Sequence, residues 1–324
     1  MAFTRLRRAL VALAAAALAL PATVSAQDAF PSRTVRIINN FPPGGPSDLI
    51  ARAVAEVLQS RFKHPFVVEN RTGAAGNIGA TAVAKAPADG YTLLFCIDTT
   101  LTVNPHVYPT MPFKTSELRP LAIMATSGLL VGVNPATGVK TMDQLLARAK
   151  SQGVNFSSAG AGSPGHLAIS VLTEATGAKI NHVPYRGNTP AVLAVAAGEV
   201  DGGALATPGM LPHVKSGKIT ALAVTSAKRS ALAPDLPTVA ELGLKQLEQE
   251  VLYVAMIPAA TPEPIVQTLQ AAILEAIQRP EMQTRLIGMD LQPTNLTGAA
   301  AAQRLAEASA RYQRVARATG MKVE

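Results

Sequence analysis

Three stretches share one construction, an extended run followed by a glycine-rich loop and a capped helical start: FPPGGPSD at 41–48, SSAGAGSPGH at 157–166 and VPYRGNTP at 183–190. Each leads to a helix N-terminus. There the first backbone N–H groups lack intrahelical partners, the helix carries partial positive charge, and glycines let a ligand approach the backbone. That is chemistry for holding an anion. Hydrogen bonds to a charged group contribute about 1.5 to 3 kcal/mol each, and a helix end adds about 0.3 to 1. Four such bonds and two helix ends exceed the ~8 kcal/mol that micromolar affinity needs, before desolvation and closure take their part. A small carboxylate therefore fits without any lysine in the pocket.

Other chemistries are weaker. AGSPG around Ser163 nearly spells a nucleophile elbow, and His166 and His182 are available as bases, so a secreted serine hydrolase or esterase using Ser163 is the alternative. Against it, Ala161 replaces the first glycine and Pro164 follows the serine; Ser163 reads more simply as a helix N-cap. His166, in the first turn, either packs or donates near a ligand. GAAGNIG at 73–79 has G-x-x-G-x-x-G spacing, not that of a dinucleotide loop, and reads as a structural turn. Five histidines without paired spacing and a single cysteine support no metal site and no cofactor. Cys96, inside the apolar run YTLLFCI, reads as an inert core thiol. Nucleic acid is not an expected partner: tryptophan is absent, aromatics are 4%, and the basic residues are scattered.

The elements that must carry these loops begin after residue 26. Arg5, Arg7 and Arg8 precede an apolar run at 9–20 and then Val24-Ser25-Ala26, the pattern of a signal peptide cleaved after Ala26, with export to the periplasm. The three arginines account for +3 of the formal +8, leaving a mildly basic +5. RTVRIINN, FVVEN and YTLLFCI read as strands alternating with helical periodicity, which is βαβ organisation with a parallel sheet. From about residue 129 the alternation restarts in VNFSSAG, KINHVPY, VDGGALA and ITALAVT, and near residue 250 VLYVAMI and three helical stretches return to the first lobe. The organisation is 1–26 signal peptide, 27–128 with 250–324 as one α/β lobe, and 129–249 as the other. The ligand cleft lies between them.

FPPGGPSDLIAR, VVENRTGAAGNIGA, PADGYTLL, NHVPYRG and ALAVTSAKRSALAPDLPTVAELG together resemble the Bug family, periplasmic substrate-binding receptors of tripartite tricarboxylate transporters. The resemblance covers residues 30–324. It implies no enzyme but a two-lobed periplasmic binding protein fold of the Venus-flytrap type that clasps a small organic carboxylate for membrane uptake, with the transporter's integral membrane subunits as partners, or for sensing. It also implies that backbone N–H groups and bridging waters hold one carboxylate between Pro43, Gly44, Gly45 and Ser47 on one side and Ser158, Ala159, Gly160, Gly162 and Ser163 on the other.

Two departures bear on the ligand's far end. Leu205 stands where many members carry an acid that meets an ammonium group, so that contact is missing. Asp98, in CIDTT, is an unusual acid at the C-terminal end of a strand, where α/β proteins dock ligands. Either it binds a cationic or hydroxyl group of the solute, or it caps local backbone or meets a nearby base. Ionised and facing the cleft, it would repel a second carboxylate at about 4 Å and make simple dicarboxylates poor ligands. Thr99, His166, Tyr185 and Thr207 complete the candidate ligand-binding set. Tyr185 and Arg186 either reach the ligand from the second lobe or line a solvated rim.

Overall fold

A computed structural model describes residues 30–323, and the expected cleavage after Ala26 lies outside the described residues. The first segment runs β1 (Val35–Asn39), α1 (Pro46–Phe62), β2 (Phe66–Asn70), α2 (Asn77–Ala84), β3 (Thr92–Ile97), the short α3 (Thr99–Thr102) and α4 (Asn104–Val107), then β4 (Leu118–Ser127). The second comprises β5 (Leu129–Val133), α5 (Met142–Gln152), β6 (Val154–Ser158), α6 (Pro164–Thr176), β7 (Ile180–Pro184) and α7 (Asn188–Ala197). It continues through β8 (Gly202–Ala206), α8 (Thr207–Lys215) and β9 (Thr220–Val224). The chain returns as β10 (Val251–Pro258), α9 (Glu263–Gln278), α10 (Pro280–Ile287), β11 (Gln292–Thr297) and α11 (Gly298–Thr319).

Two sheets result, ordered β11-β4-β10-β3-β1-β2 and β7-β6-β8-β5-β9. Both are mixed, which corrects the parallel reading. β1 pairs in parallel with β2 and β3, and β6 with β7 and β8, while β10 runs antiparallel to β3 and β4, and β5 antiparallel to β8 and β9. The reversal comes where the chain changes sheets. Gly128 alone separates β4 from β5, so one nearly continuous strand leaves the first sheet and enters the second without a crossover helix.

Both sheets are covered by helices, so their central strands are apolar throughout; every residue of β3, β5 and β10 is buried. Cys96 lies in this core, where burial and the neighbouring Asp98 push its thiol well above the usual range. The C-terminal α11 packs at the junction of the sheets. Its Ala308, Tyr312 and Ala316 share an apolar cluster with Val103 and Val107 of the first segment and Leu167 of α6. Arg311 donates to the Glu248 carbonyl and Tyr312 to that of Glu250, so the helix grips the returning crossing as well.

Candidate functional site between the lobes

The loop from β1 to α1 is shaped by side chains that spend their polarity on its backbone. Asn39 and Asn70 both donate to the Phe41 carbonyl, at 2.9 and 3.0 Å. Asp48, in the first turn of α1, accepts from Gly44 N–H (3.0 Å), Arg52 (3.0 Å) and Asn70 (2.9 Å). Burial opposes its charge, but these donors outweigh the burial and hold the carboxyl below its ordinary range. Gly44 N–H is thus already committed to the protein's own carboxylate. Pro43 and Gly44 lie exposed, while Phe41, Pro42, Gly45 and Ser47 face the cleft. Pro46 stands at the start of α1, where its missing N–H costs nothing and Ser47 N–H is left without an intrahelical acceptor.

The facing loop, between β6 and α6, is framed by two histidines. Ser158 Oγ lies 2.6 Å from His182 Nε2 and accepts from Gly160 N–H at 3.1 Å. Gly162 N–H donates to His166 Nδ1 at 3.1 Å, and the two imidazoles stack in parallel with centroids 3.9 Å apart. Burial lowers His166 to about 4 and, with His166 adding to it, lowers His182 to about 3. Both rings are therefore neutral near pH 7 and serve as framework. Ser163 caps α6 by accepting from His166 N–H at 3.3 Å, so its hydroxyl is a helix cap and not a nucleophile paired with an imidazole ring.

These loops line an inner chamber between them. Four helix starts converge on it: Gly45 to Ser47 at α1, Pro164 and Gly165 at α6, Asn188 and Thr189 at α7, and Ala206 just ahead of α8. The rest of the wall is apolar, from Ile97, Leu129, Leu205, Val251 and Tyr253, whose hydroxyl meets Ser127 Oγ at 3.0 Å. Among the described residues no charged side chain lines this chamber. Phe41, Pro42 and Ala159 also line an outer chamber, walled further by residues 72–76, Ile78, Tyr108, Tyr185 and Arg186.

Of the residues singled out from sequence, Gly45, Ser47, Ala159 and Tyr185 line these chambers; Ser158, Gly160, Gly162, Ser163 and His166 form the loop behind them. Five lie elsewhere, two of them Pro43 and Gly44, which are exposed and line neither chamber. Asp98 is fully buried, and its carboxylate accepts from Leu252 N–H at 3.0 Å and faces Thr102 Oγ at 3.3 Å, which binds it to β10 and α3 and away from both chambers. The repulsion expected between Asp98 and a second ligand carboxylate is thereby removed. Thr99 beside it is buried and lines neither chamber. Thr207 turns its hydroxyl to the Gly128 carbonyl (2.9 Å), fastening the crossing between the sheets.

Sequence reasoning read 73–79 as a structural turn and missed that residues 73–76 wall the outer chamber. Ala74 and Ala75 adopt left-handed φ of 47° and 49° between Gly73 and Gly76. Long-range partners hold them there: Thr100 and Asn104 donate to the Ala75 carbonyl and Asn40 to that of Gly76, each at 3.1 Å. Two alanines flanked by glycines were the available signal, but the side chains that impose the strain come from other elements.

Two α/β lobes that meet across a cleft, with helix N-termini pointed into it, define a two-lobed solute-binding protein. The chain belongs to the tripartite tricarboxylate transporter receptor family: the model of that family, described as "Tripartite tricarboxylate transporter family receptor", matches residues 50–321. Protein BugT of Bordetella pertussis is 35% identical over 328 residues, covering 100% of both chains. A Rhodopseudomonas palustris protein solved with adipate is 30% identical with a TM-score of 0.87, over 90% of this chain and 99% of that one. MatC from the same species, solved with bound malate, is 27% identical with a TM-score of 0.84, over 88% and 99%. The periplasmic binding protein BugD is 27% identical with a TM-score of 0.86, over 91% and 100%. Proteins of this family are substrate-binding receptors, and this chain is a receptor rather than an enzyme.

Proposed function

We propose that the protein captures a small organic carboxylate in the periplasm and presents it to integral membrane subunits of a tripartite transporter. The observation that carries this reading is the inner chamber, where four helix N-termini surround a space with no charged side chain among the described residues. In such a place a carboxylate is favoured by backbone N–H groups and helix dipoles, and a cation has no counter-charge. The ligands named for two related structures, adipate and malate, are both carboxylates. In this account the mature chain starts at Gln27, and the segments 27–128 with 250–324 and 129–249 close on the solute as two lobes. Gly45, Ser47, Ala159 and Gly165 provide the anchor.

A thermal-shift panel of small carboxylic acids tests this. An acid present at about 100-fold its dissociation constant adds about 2.7 kcal/mol and raises the midpoint by several degrees. A panel in which no acid shifts the midpoint, or in which the acid that does is consumed, contradicts the proposal.

A further inference from the structure

The walls of the inner chamber divide by element. Besides Tyr253, the polar side chains that line it are Ser47, Asn188 and Thr189, each in the first turn of a helix, and Asn188 Oδ1 already accepts from Ala206 N–H at 2.9 Å. The strand ends present hydrocarbon. Leu252, Val254 and Met256 of β10 pack into a core cluster, so strand alternation turns Val251 and Tyr253 to the opposite face, where Tyr253 pairs with Ile97 of β3. In the second sheet Leu129 pairs with Ala206, and both line the chamber. The strands β3, β5, β8 and β10 are each paired on both sides, so their backbone donors are spent in the ladders, and Leu129 N–H donates to Thr225 at 2.8 Å. The buried Tyr253 hydroxyl is taken by Ser127. The strand side of the chamber thus offers a solute no free donor.

We propose that this chain selects a monocarboxylic acid with an uncharged hydrocarbon body, aliphatic or aromatic, and discriminates against diacids through Ile97, Leu129, Val251 and Tyr253. This rests on the carboxylate anchor proposed above for the inner chamber. A carboxylate held at the helix ends leaves the rest of the solute against the strand ends. A second carboxylate there would give up its water without a protein donor in return, and among the described residues no charged side chain lines the chamber to offset its charge. A methylene or a ring gives up nothing there and gains by leaving water. On this reading the chain parts from the relatives solved with adipate and malate, both of which carry a second carboxylate.

The test is calorimetric titration of wild type and Val251→Thr with matched pairs of equal chain length, butyrate and succinate, pentanoate and glutarate, hexanoate and adipate, and with benzoate and terephthalate as the aromatic pair. Wild type should bind the monoacid at least about tenfold more tightly than its diacid. Affinity among the aliphatic monoacids should rise about threefold per added methylene until the wall is filled. Val251→Thr puts a hydroxyl on the wall at nearly constant shape and should lower the preference for the monoacid about threefold. A diacid bound as tightly as its monoacid, or more tightly, overturns this selection and spares the anchor. An unchanged preference in Val251→Thr, in a variant that still unfolds cooperatively, takes the strand ends out of contact with the solute and overturns it too. A wild type that binds no acid of the wider panel removes the anchor and this selection with it.

Discussion

Asp98 illustrates how a carboxylate at the end of a strand can belong to the fold. Burial pushes it up to about 6 against an ordinary value near 3.9, while Leu252 N–H, Thr102 and the more distant Arg304 partly offset that rise. The folded protein therefore binds the proton more tightly than the unfolded chain. The stabilisation is fully present below about pH 4 and is lost as pH rises through about 6. Asp98→Asn keeps an acceptor for Leu252 N–H without the buried charge. Its stability relative to wild type should therefore increase between pH 4 and pH 7, by about 1 to 3 kcal/mol, in urea unfolding at the two pH values. A constant difference would mean that the carboxylate is not strained by its surroundings. The order of ligand preferences should stay the same, because the side chain meets β10 and α3 and not the cleft.

The α6 helix sets the position of half the proposed anchor, and its seat on the sheet depends on Gly165. A Cβ at that position would lie 2.1 Å from the Ala204 carbonyl oxygen, a backbone atom of β8 that cannot move aside as a side-chain tip can. Gly165→Ala should push the helix start off the strand, cost about 1 to 3 kcal/mol or more in denaturant unfolding and weaken every acid together. A variant as stable and as competent as wild type would show that the seat is not close-packed. The loops feeding such helices were legible in the sequence because glycine, proline and Ser163 spell helix starts after apolar runs. Other elements were not. α8 contains Pro208, Gly209 and Pro212, residues that disfavour helix, and it forms because it packs against the second sheet's core through Met210 and Leu211. β11, QPTNLT, is a polar edge strand with a register shift, so no alternation marks it. The turn at 73–76 was visible as a turn, but its place in the cleft depends on Asn40, Thr100 and Asn104 arriving from elsewhere in the chain.

Across the whole molecule, the two crossings and α11 bring two separately wound sheets together at one cleft, and the anchor proposed there draws on backbone from both sides. Gly128 leads from one sheet to the other, Thr225 accepts from Leu129 N–H at 2.8 Å beside it, and Gln249 donates to the Pro164 carbonyl at 2.8 Å, which ties the return crossing to the start of α6. The two-lobed plan was legible because βαβ alternation restarts near residue 129. The antiparallel pairings were not, because they arise from where a strand changes sheets and not from its composition. In the proposed mode of binding, helix ends and backbone N–H groups, with no cationic side chain lining the inner chamber among the described residues, select a carboxylate for its charge. Calorimetric titration of the tightest-binding acid beside its primary amide, equal in size and shape, tests this most directly. Hydrogen bonds to a charged group contribute about 1.5 to 3 kcal/mol against 0.5 to 1.5 for neutral pairs, so several of them predict an amide at least about 100-fold weaker, with the acid bound one to one and recovered unchanged. An amide that binds as tightly as the acid would contradict the account.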